Sequence, residues 1–296
     1  MYAIVGAAGK VGYSTSRALR EAGVPVRAIL RDAAKSSPLK AIGCEIALGD
    51  LQDPASLSHA IGNARAVQVI LPPPPQAPDT PGEMRRSIES IASALERTRV
   101  ELVLAISDYG AHLGAGVGMP TLFHAFEARL RQLKLPRVLL RSAEQMEGWG
   151  LAAQAAIATG VLPSLHHPVD SAFPTVSAHD VGAIAADLLL HPTIRNGEQL
   201  VHVEGPRRYS ALDVAEAVGR LSGRDVTAQA VPRSQWQESL QRVVSASAAQ
   251  LLVDLYDAHN RGGLIDIVPD KGEIRYGATQ LIDALRPLMP AGSQND

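Results

Sequence analysis

A chain of 296 residues, 46% hydrophobic and 20% charged, can bury a substantial core as one large domain or two intimate ones, and it has the composition of a soluble globular protein. A net charge of −2 offers no electrostatic footprint for nucleic acid, and a single cysteine, Cys44, excludes an intrachain disulfide framework and a thiolate cluster for zinc. No apolar run approaches the roughly 20 residues that span a bilayer, and no basic segment with an apolar run behind it opens the chain, so a cytoplasmic, unprocessed protein without nucleic-acid or membrane partners is expected.

Residues 2–5, Tyr-Ala-Ile-Val, are too apolar for an edge strand and suit the centre of a parallel sheet. The run stops at Gly6, and glycine recurs at Gly9 and Gly12. Gly6 permits the tight turn, Gly9 lets main chain approach a pyrophosphate, and Gly12 allows the next helix, expected over residues 11–22, to pack closely on the sheet. With Ala8, Lys10 and Val11 between the glycines, the turn reads as a dinucleotide cradle at a helix N-terminus, completed as a βαβ unit by a second strand over residues 26–30.

Arg31 follows that strand and Lys35 lies four residues on. A carboxylate here would hold a ribose 2′-hydroxyl, whereas a guanidinium accepts a 2′-phosphate, so NADP(H) is the expected cofactor, with NAD(H) also accommodated, provided Asp32 points away. The alternative is that Arg31 and Lys35 are solvated surface charges. After a third strand over residues 45–48, Asp50, with Leu51 beside it, either accepts a hydrogen bond from adenine or caps the turn before a helix over residues 54–61. The fourth strand, residues 66–71, ends at Leu71 and runs into Pro72, Pro73, Pro74 and Pro75, a stiff loop at the carboxyl end of the sheet where ligands of such folds sit.

Helices over residues 82–97 and 121–132 and strands over 102–106 and 138–140 keep the alternation, which specifies a doubly wound parallel α/β sheet. A cofactor domain over residues 1–150 and a mixed region over 151–296, carrying returning sheet elements and a small substrate lobe, follow. From about residue 144 the pattern becomes irregular, with Trp149 and the pair His166 and His167. Residues 175–177 and 180–190 then read as a strand and a helix returning to the sheet, and 199–203 as another strand. Helix 210–221, strand 226–231 and helices 234–240 and 248–260 follow, with a frayed end at 291–296.

Taken together, GAAGKVG, VRAILRD, GDLQDPASL, ISDYGA, HAFEARLRQL, RVLLRSAEQMEGW, FPTVSAHDVGAIAADLL and LYDAHNRGGLID resemble the NmrA-like group of atypical short-chain dehydrogenases/reductases over nearly the whole chain. The resemblance implies a Rossmann-like domain with a small C-terminal lobe that binds NAD(P) without flavin or metal. The group includes reductases of quinones, azo compounds and phenolic ethers, and nucleotide-sensing regulators. One departure is plain: the Tyr-x-x-x-Lys acid–base pair of the wider family is missing from the helix after the fifth strand, where Phe123 stands at the position of the family's lysine.

What remains near the strand ends is Ser107, Asp108 and Tyr109, with His124 and Glu127 on one helical face. His124 either donates a proton, clamps substrate or ribose, or is simply packed. Ser107 either bonds a cofactor amide or substrate oxygen or forms a turn, and Tyr109 acts as an acid only if its environment perturbs it. Glu127 reads as structural. Tyr109, His124, Met146, Trp149 and Phe173 are the expected pocket walls. The sequence thus points to an NADPH-dependent reductase that passes hydride directly to a planar, electron-poor acceptor, with a non-catalytic NADP(H) sensor as the alternative; whether the chain forms a homo-oligomer is not readable.

Overall fold

A computed structural model describes residues 1–268 and 271–290; the end expected to fray, residues 291–296, lies outside the described residues. In chain order the elements are β1 (Tyr2–Val5), α1 (Lys10–Glu21), β2 (Val26–Leu30), α2 (Ser37–Ala41), β3 (Glu45–Leu48), α3 (Pro54–Ile61), β4 (Ala66–Ile70), α4 (Thr80–Glu96), β5 (Leu102–Asp108), α5 (Met119–Arg131) and β6 (Arg137–Ser142). There follow β7 (Glu144–Gln145), α6 (Gly150–Thr159), β8 (Val161–Ser164), β9 (Thr175–Val176), α7 (Ala178–Leu190), β10 (Glu198–Glu204), α8 (Ala211–Ser222), β11 (Thr227–Ala230), α9 (Trp236–Gln241), α10 (Ala246–Asn260), β12 (Glu273–Tyr276) and α11 (Leu281–Leu285).

Eight strands form one sheet in the order β12-β10-β6-β5-β4-β1-β2-β3, every pairing parallel. This is the doubly wound, Rossmann-like sheet that the alternating pattern implies. Its central strands are apolar on both faces because both faces are covered. Ala3 and Val5 of β1 join Val67, Val103 and Leu139 in one core, while Ile4 joins Ala28, Leu104 and Leu140 in the other. The strand order reverses between β1 and β4, so a crevice opens at the carboxyl ends of these two strands.

Helix starts follow local chemistry. Asp53 accepts from the amides of Ala55 and Ser56 ahead of Pro54, Asp79 accepts from Gly82, and Ser210 and Asp213 close a reciprocal cap on α8. Helix α7 lies against α1 so closely that a Cβ at Gly182 would stand 2.7 Å from the Val11 carbonyl oxygen. Cys44 is buried as a free thiol, in keeping with a small core residue.

The C-terminal half departs from expectation in three places. The strand expected at 175–177 does not return to the main sheet: Thr175–Val176 pairs with Glu144–Gln145 in a separate ribbon, confined between Pro174 and Ser177, whose hydroxyl already caps α7. The strand expected at 226–231 is present as β11 and pairs with β8 in a second ribbon. The irregular stretch after residue 144 contains α6, whose sequence GLAAQAAIAT carries no amphipathic stripe to announce it. Beyond β10 the sheet gains β12, a short strand with exposed Ile274 and Tyr276. A third core, formed by residues such as Met146, Trp149, Phe173, Tyr209, Val214 and Leu281, fills the C-terminal lobe.

Candidate functional site

The glycine turn has the geometry of an anion cradle. Gly6 has φ +72°, a left-handed conformation suited to glycine, and a Cβ there would sit 2.7 Å from Ile70 Cγ2. At Gly12 a Cβ would stand 2.8 Å from Ala7 Cα and clash with the Gly6 carbonyl, so this glycine sets how closely α1 meets the sheet. At Gly9 a Cβ would meet only the Gly6 carbonyl oxygen, at 3.4 Å, and its remaining surroundings are open. Gly9 is the N-cap of α1, offers no side-chain cap, and no acidic residue occupies the first turn. The leading amides of the helix and its positive end are therefore free for phosphate oxygens.

Beside this turn a cleft of about 290 Å³ is lined by Ala8, Tyr13, Ala34, Lys35, Pro38 and Leu39. The side chains of Arg31 and Lys35 are exposed and make no ion pair or hydrogen bond among the described residues. Asp32, the carboxylate next to Arg31, is exposed and spends its Oδ1 on the Ala34 amide, accepting at 2.9 Å. Asp50 accepts from the Gln52 amide at 2.9 Å, and the cap of α3 falls to Asp53 instead. Leu51 is partly buried. Leu71 is buried just past β4, while Pro72 and Pro73 are exposed at the carboxyl end of the sheet. The residues present therefore fit a phosphorylated dinucleotide: an open main-chain cradle at one end and two unpaired cations at the other.

The residues expected to carry acid–base chemistry sort differently. Ser107 donates to Glu127 Oε1 at 2.6 Å and is buried, so its hydroxyl serves the interior rather than a ligand. Glu127 is fully buried, accepts 2.8 and 2.7 Å bonds from the fork of Arg141 and a 3.2 Å bond from Arg131. Burial pushes the Glu127 carboxyl up, but the Arg141 bonds and charge, with Ser107 and Arg131, hold it below the ordinary carboxylate range. Arg131 lies one turn along the same helix, whereas the principal partner, Arg141 on β6, is brought by the fold.

Tyr109 is 1% exposed and its hydroxyl donates to Glu204 Oε1 at 3.3 Å. Burial first, then the Glu204 charge, drives its ionisation far above the ordinary tyrosine range, which corrects the expectation of a proton-donating phenol. His124 Nδ1 donates to the Ala111 carbonyl at 2.8 Å, and a Cβ on Gly114 would lie 3.7 Å from His124 Nε2, so the imidazole supports the glycine-rich loop between β5 and α5. Met146 and Trp149 are buried in the third core and do not form exposed pocket walls; the reason is that α6, α8 and α11 need an apolar centre of their own.

Phe173, by contrast, borders a cleft. It lies 3.6 Å centroid to centroid from His166, nearly parallel, and both line a cleft of about 110 Å³ shared with Arg208, His259, Asn260 and Asp266. His166 Nε2 donates to Glu144 Oε2 at 2.9 Å, and His259 Nε2 stands 4.0 Å from the same oxygen. Burial lowers His259 to about 4, so it is neutral at neutral pH. Arg208 bridges Glu204 and Asp266 with bonds of 2.9 and 2.6 Å. Sequence reasoning passed over Glu144, His259 and the Arg208 network, because they reach this seam from β7, α10 and the loops after β10; a polar residue just past the buried sixth strand was the only local signal. Among the described residues no three His, Cys, Asp or Glu side chains are placed to hold a metal ion, and no helix is long and apolar enough to cross a membrane.

A parallel sheet whose first turn opens its amides to a phosphate at the switch point defines a dinucleotide-binding α/β protein. Residues 6–145 match the NAD(P)H-binding family. Across 274 residues it is 27% identical to an NAD(P)H azoreductase of Xenophilus azovorans, covering 91% of this chain and 92% of that protein. The fold is shared with an NADPH-dependent quinone oxidoreductase of Escherichia coli solved with NADPH (TM-score 0.76, 23% identity, 97% of this chain and 99% of that one). It is shared equally with the triphenylmethane reductase of Citrobacter sp. complexed with NADP(H) (TM-score 0.79, 20% identity, 97% and 99%). These solved structures share the fold of this chain.

Proposed function

We propose that this chain is an NADPH-dependent reductase that passes hydride directly to a planar, electron-poor acceptor, a quinone or an azo compound. The observation that carries the cofactor preference is the unpaired Arg31 and Lys35 beside the cradle, with Asp32 engaged in a backbone cap. The activity printed for the azoreductase relative and for the quinone oxidoreductase of the same fold supports the acceptor class. Reduced nicotinamide supplies the hydride when bound. The glycine turn and α1 would hold its pyrophosphate, and Pro72 and Pro73 would border it at the sheet's carboxyl end. The seam cleft with Phe173 and His166 would receive an aromatic acceptor. Quinone and azo groups accept hydride readily, so positioning supplies most of the catalysis, and α5, which contains neither tyrosine nor lysine, has no need of the usual phenol.

The test is oxidation of NADPH, with NADH alongside, by the purified flavin-free protein against a panel of quinones and azo dyes. Saturable NADPH loss coupled to acceptor reduction is expected. Tight NADPH binding with no turnover of any acceptor would replace the reductase by a nucleotide sensor.

Two substitutions probe the parts. Arg31→Asp is expected to weaken NADPH by roughly 10- to 100-fold, the worth of about 1.5–3 kcal/mol for a charged hydrogen bond, while NADH changes little. Equal losses for both nucleotides in a titration would remove the 2′-phosphate assignment. His124→Ala is expected to lower kcat while leaving nucleotide affinity intact, because it loosens the 110–118 loop and not the cradle; an unchanged rate would make His124 ordinary packing.

A further inference from the structure

The cleft lined by Phe173 contains a histidine that a carboxylate holds in place. His166 Nε2 bonds Glu144 Oε2 at 2.9 Å, which fixes one edge of the ring. Phe173 covers a ring face at 3.6 Å between centroids and 12° between planes, while Tyr256 and His259 meet the ring edge-on at 5.0 and 5.1 Å. The main chain is pinned too, Ser164 Oγ donating to the His166 carbonyl at 2.8 Å and the His167 amide donating to Asn260 Oδ1 at 3.0 Å. His166 lines the cleft, and its Nδ1 makes no hydrogen bond among the described residues. The other nitrogen donors of the cleft are placed differently. Asn260 spends its amide on the Leu165 carbonyl, and Arg208 spends its guanidinium on Glu204 and Asp266. His259 Nε2 stands 4.0 Å from Glu144, outside hydrogen-bond reach, and His167 is exposed with no carboxylate partner.

The sheet relates this pair to the cofactor cradle. Arg31 past β2 and the glycine turn past β1 give a bound dinucleotide its direction, so the half that carries the nicotinamide would run the opposite way, over β4 toward β5 and β6. The pairings are parallel, and the carboxyl end of β6 therefore opens on the same side as the glycine turn, three strands or about 14 Å from β1. Glu144 stands two residues past the end of β6.

From this arrangement, and resting on the reductase reading above, we propose that His166 is the proton donor to the acceptor, that Glu144 is its positioning residue, and that the pair suits an azo compound better than a quinone. Hydride from NADPH forms an N–H bond at one nitrogen of the N=N group and leaves NADP⁺. The π pair moves to the second nitrogen and takes the Nδ1 proton of His166, which gives the hydrazine, and the ring regains a proton from solvent. The donor form carries protons on both ring nitrogens, its positive charge lying against the Glu144 carboxylate. Burial pushes the Glu144 carboxyl up, but the His166 charge and hydrogen bond, followed by His259, hold it below the ordinary range, so the countercharge is present. Atoms and charge balance without flavin, metal or further reductant. The acceptor class follows from basicity. A half-reduced quinone is a phenolate-like oxyanion, whose conjugate acid has a pKa of roughly 10, as for a tyrosine phenol, and water can protonate it. The nitrogen anion left by hydride addition to an azo group is far more basic, so its formation needs a donor already in place.

The test compares two acceptors. A sulfonated azobenzene needs one proton for each hydride, whereas a cationic triphenylmethane dye is neutralised by hydride alone. His166→Phe keeps the stack on Phe173 and removes the donor; it should lower kcat for the azo dye by roughly 100-fold more than kcat for the cationic dye, the usual worth of general acid catalysis. Glu144→Gln keeps an acceptor for Nε2 but removes the countercharge, and should show the same split to a smaller degree, which a packing role would not produce. A readout without turnover is the ¹⁵N spectrum of the histidine rings in the NADP⁺ complex, which transfers no hydride: the azo dye should shift His166 Nδ1 and leave Nε2 bonded to Glu144. Undiminished azo turnover in His166→Phe, equal losses for the two dyes, an Nδ1 resonance that the azo dye leaves unmoved, or a wild-type protein that reduces quinones but no azo dye overturns the assignment while the reductase stands. Wild-type protein inert toward every acceptor overturns the reductase reading and the assignment together.

Discussion

Gly9→Val is expected to abolish NADPH binding, a loss of roughly 100-fold or more in affinity, while the protein keeps its fold. The separation of the two effects follows from where the three glycines of the turn stand. At Gly12 a Cβ would press on Ala7 Cα and the Gly6 carbonyl, both backbone, so any side chain there forces α1 away from the sheet. At Gly9 the only neighbour is the Gly6 carbonyl oxygen at 3.4 Å, an ordinary contact, and the backbone has no positive φ to strain. A valine is therefore accommodated by the protein itself, and its methyl groups project into the space a pyrophosphate needs above the amides of α1. Calorimetric titration with NADPH, alongside thermal unfolding of both proteins, separates the outcomes. Unchanged affinity would take the cradle away from this turn; a collapsed unfolding transition would show Gly9 to be structural after all.

The second large effect concerns stability. Glu127→Ala is expected to destabilise the protein by about 3–5 kcal/mol, because it leaves the buried Arg141 guanidinium without its bidentate partner. Removing Arg141 as well, in Glu127→Ala with Arg141→Met, should recover much of that loss, since the cost lies in the orphaned charge more than in the absent pair. The pH dependence has a defined sign. The Glu127 carboxyl is depressed in the folded protein, so its contribution is fully present above the unfolded carboxylate pKa and disappears as pH falls through the lower folded value. Denaturant midpoints measured from pH 7 downward should fall steeply for the wild type and less steeply for Glu127→Gln. Parallel curves would show that Glu127 does not titrate with folding.

How far the chain was readable without its structure depends on the range of the interactions involved. β1, β2 and β3 fall at the expected residues, and the helix over 54–61 does too, because each is specified by its own apolar pattern, its cap or its proline. The same holds for the glycine turn and for Arg31, which act through local backbone and through their place just past a strand. The engagement of Asp32 was the condition on which the cofactor reading rested, and it depends only on a two-residue cap.

Other features lay beyond local pattern. That Ser107 is spent on Glu127, that Tyr109 is sealed against Glu204, and that Met146 and Trp149 belong to a core rather than a pocket are consequences of contacts between residues far apart in sequence. The strand expected over 175–177 pairs with β7 rather than with the main sheet, which a two-residue strand without periodicity does not disclose, and α6 goes unannounced because an alanine-rich helix carries no stripe.

By itself, then, the sequence determined a doubly wound sheet, a glycine turn after its first strand and a basic residue just past its second, since spacing and residue type suffice for each. Only the tertiary structure decided which polar groups are free for chemistry. Charge and proton affinity depend on burial and on neighbours brought from other elements, and it was the register of β5 on β6 that locked Glu127 onto Arg141, and the packing of α10 and the loop after β8 that brought His259 and His166 to Glu144.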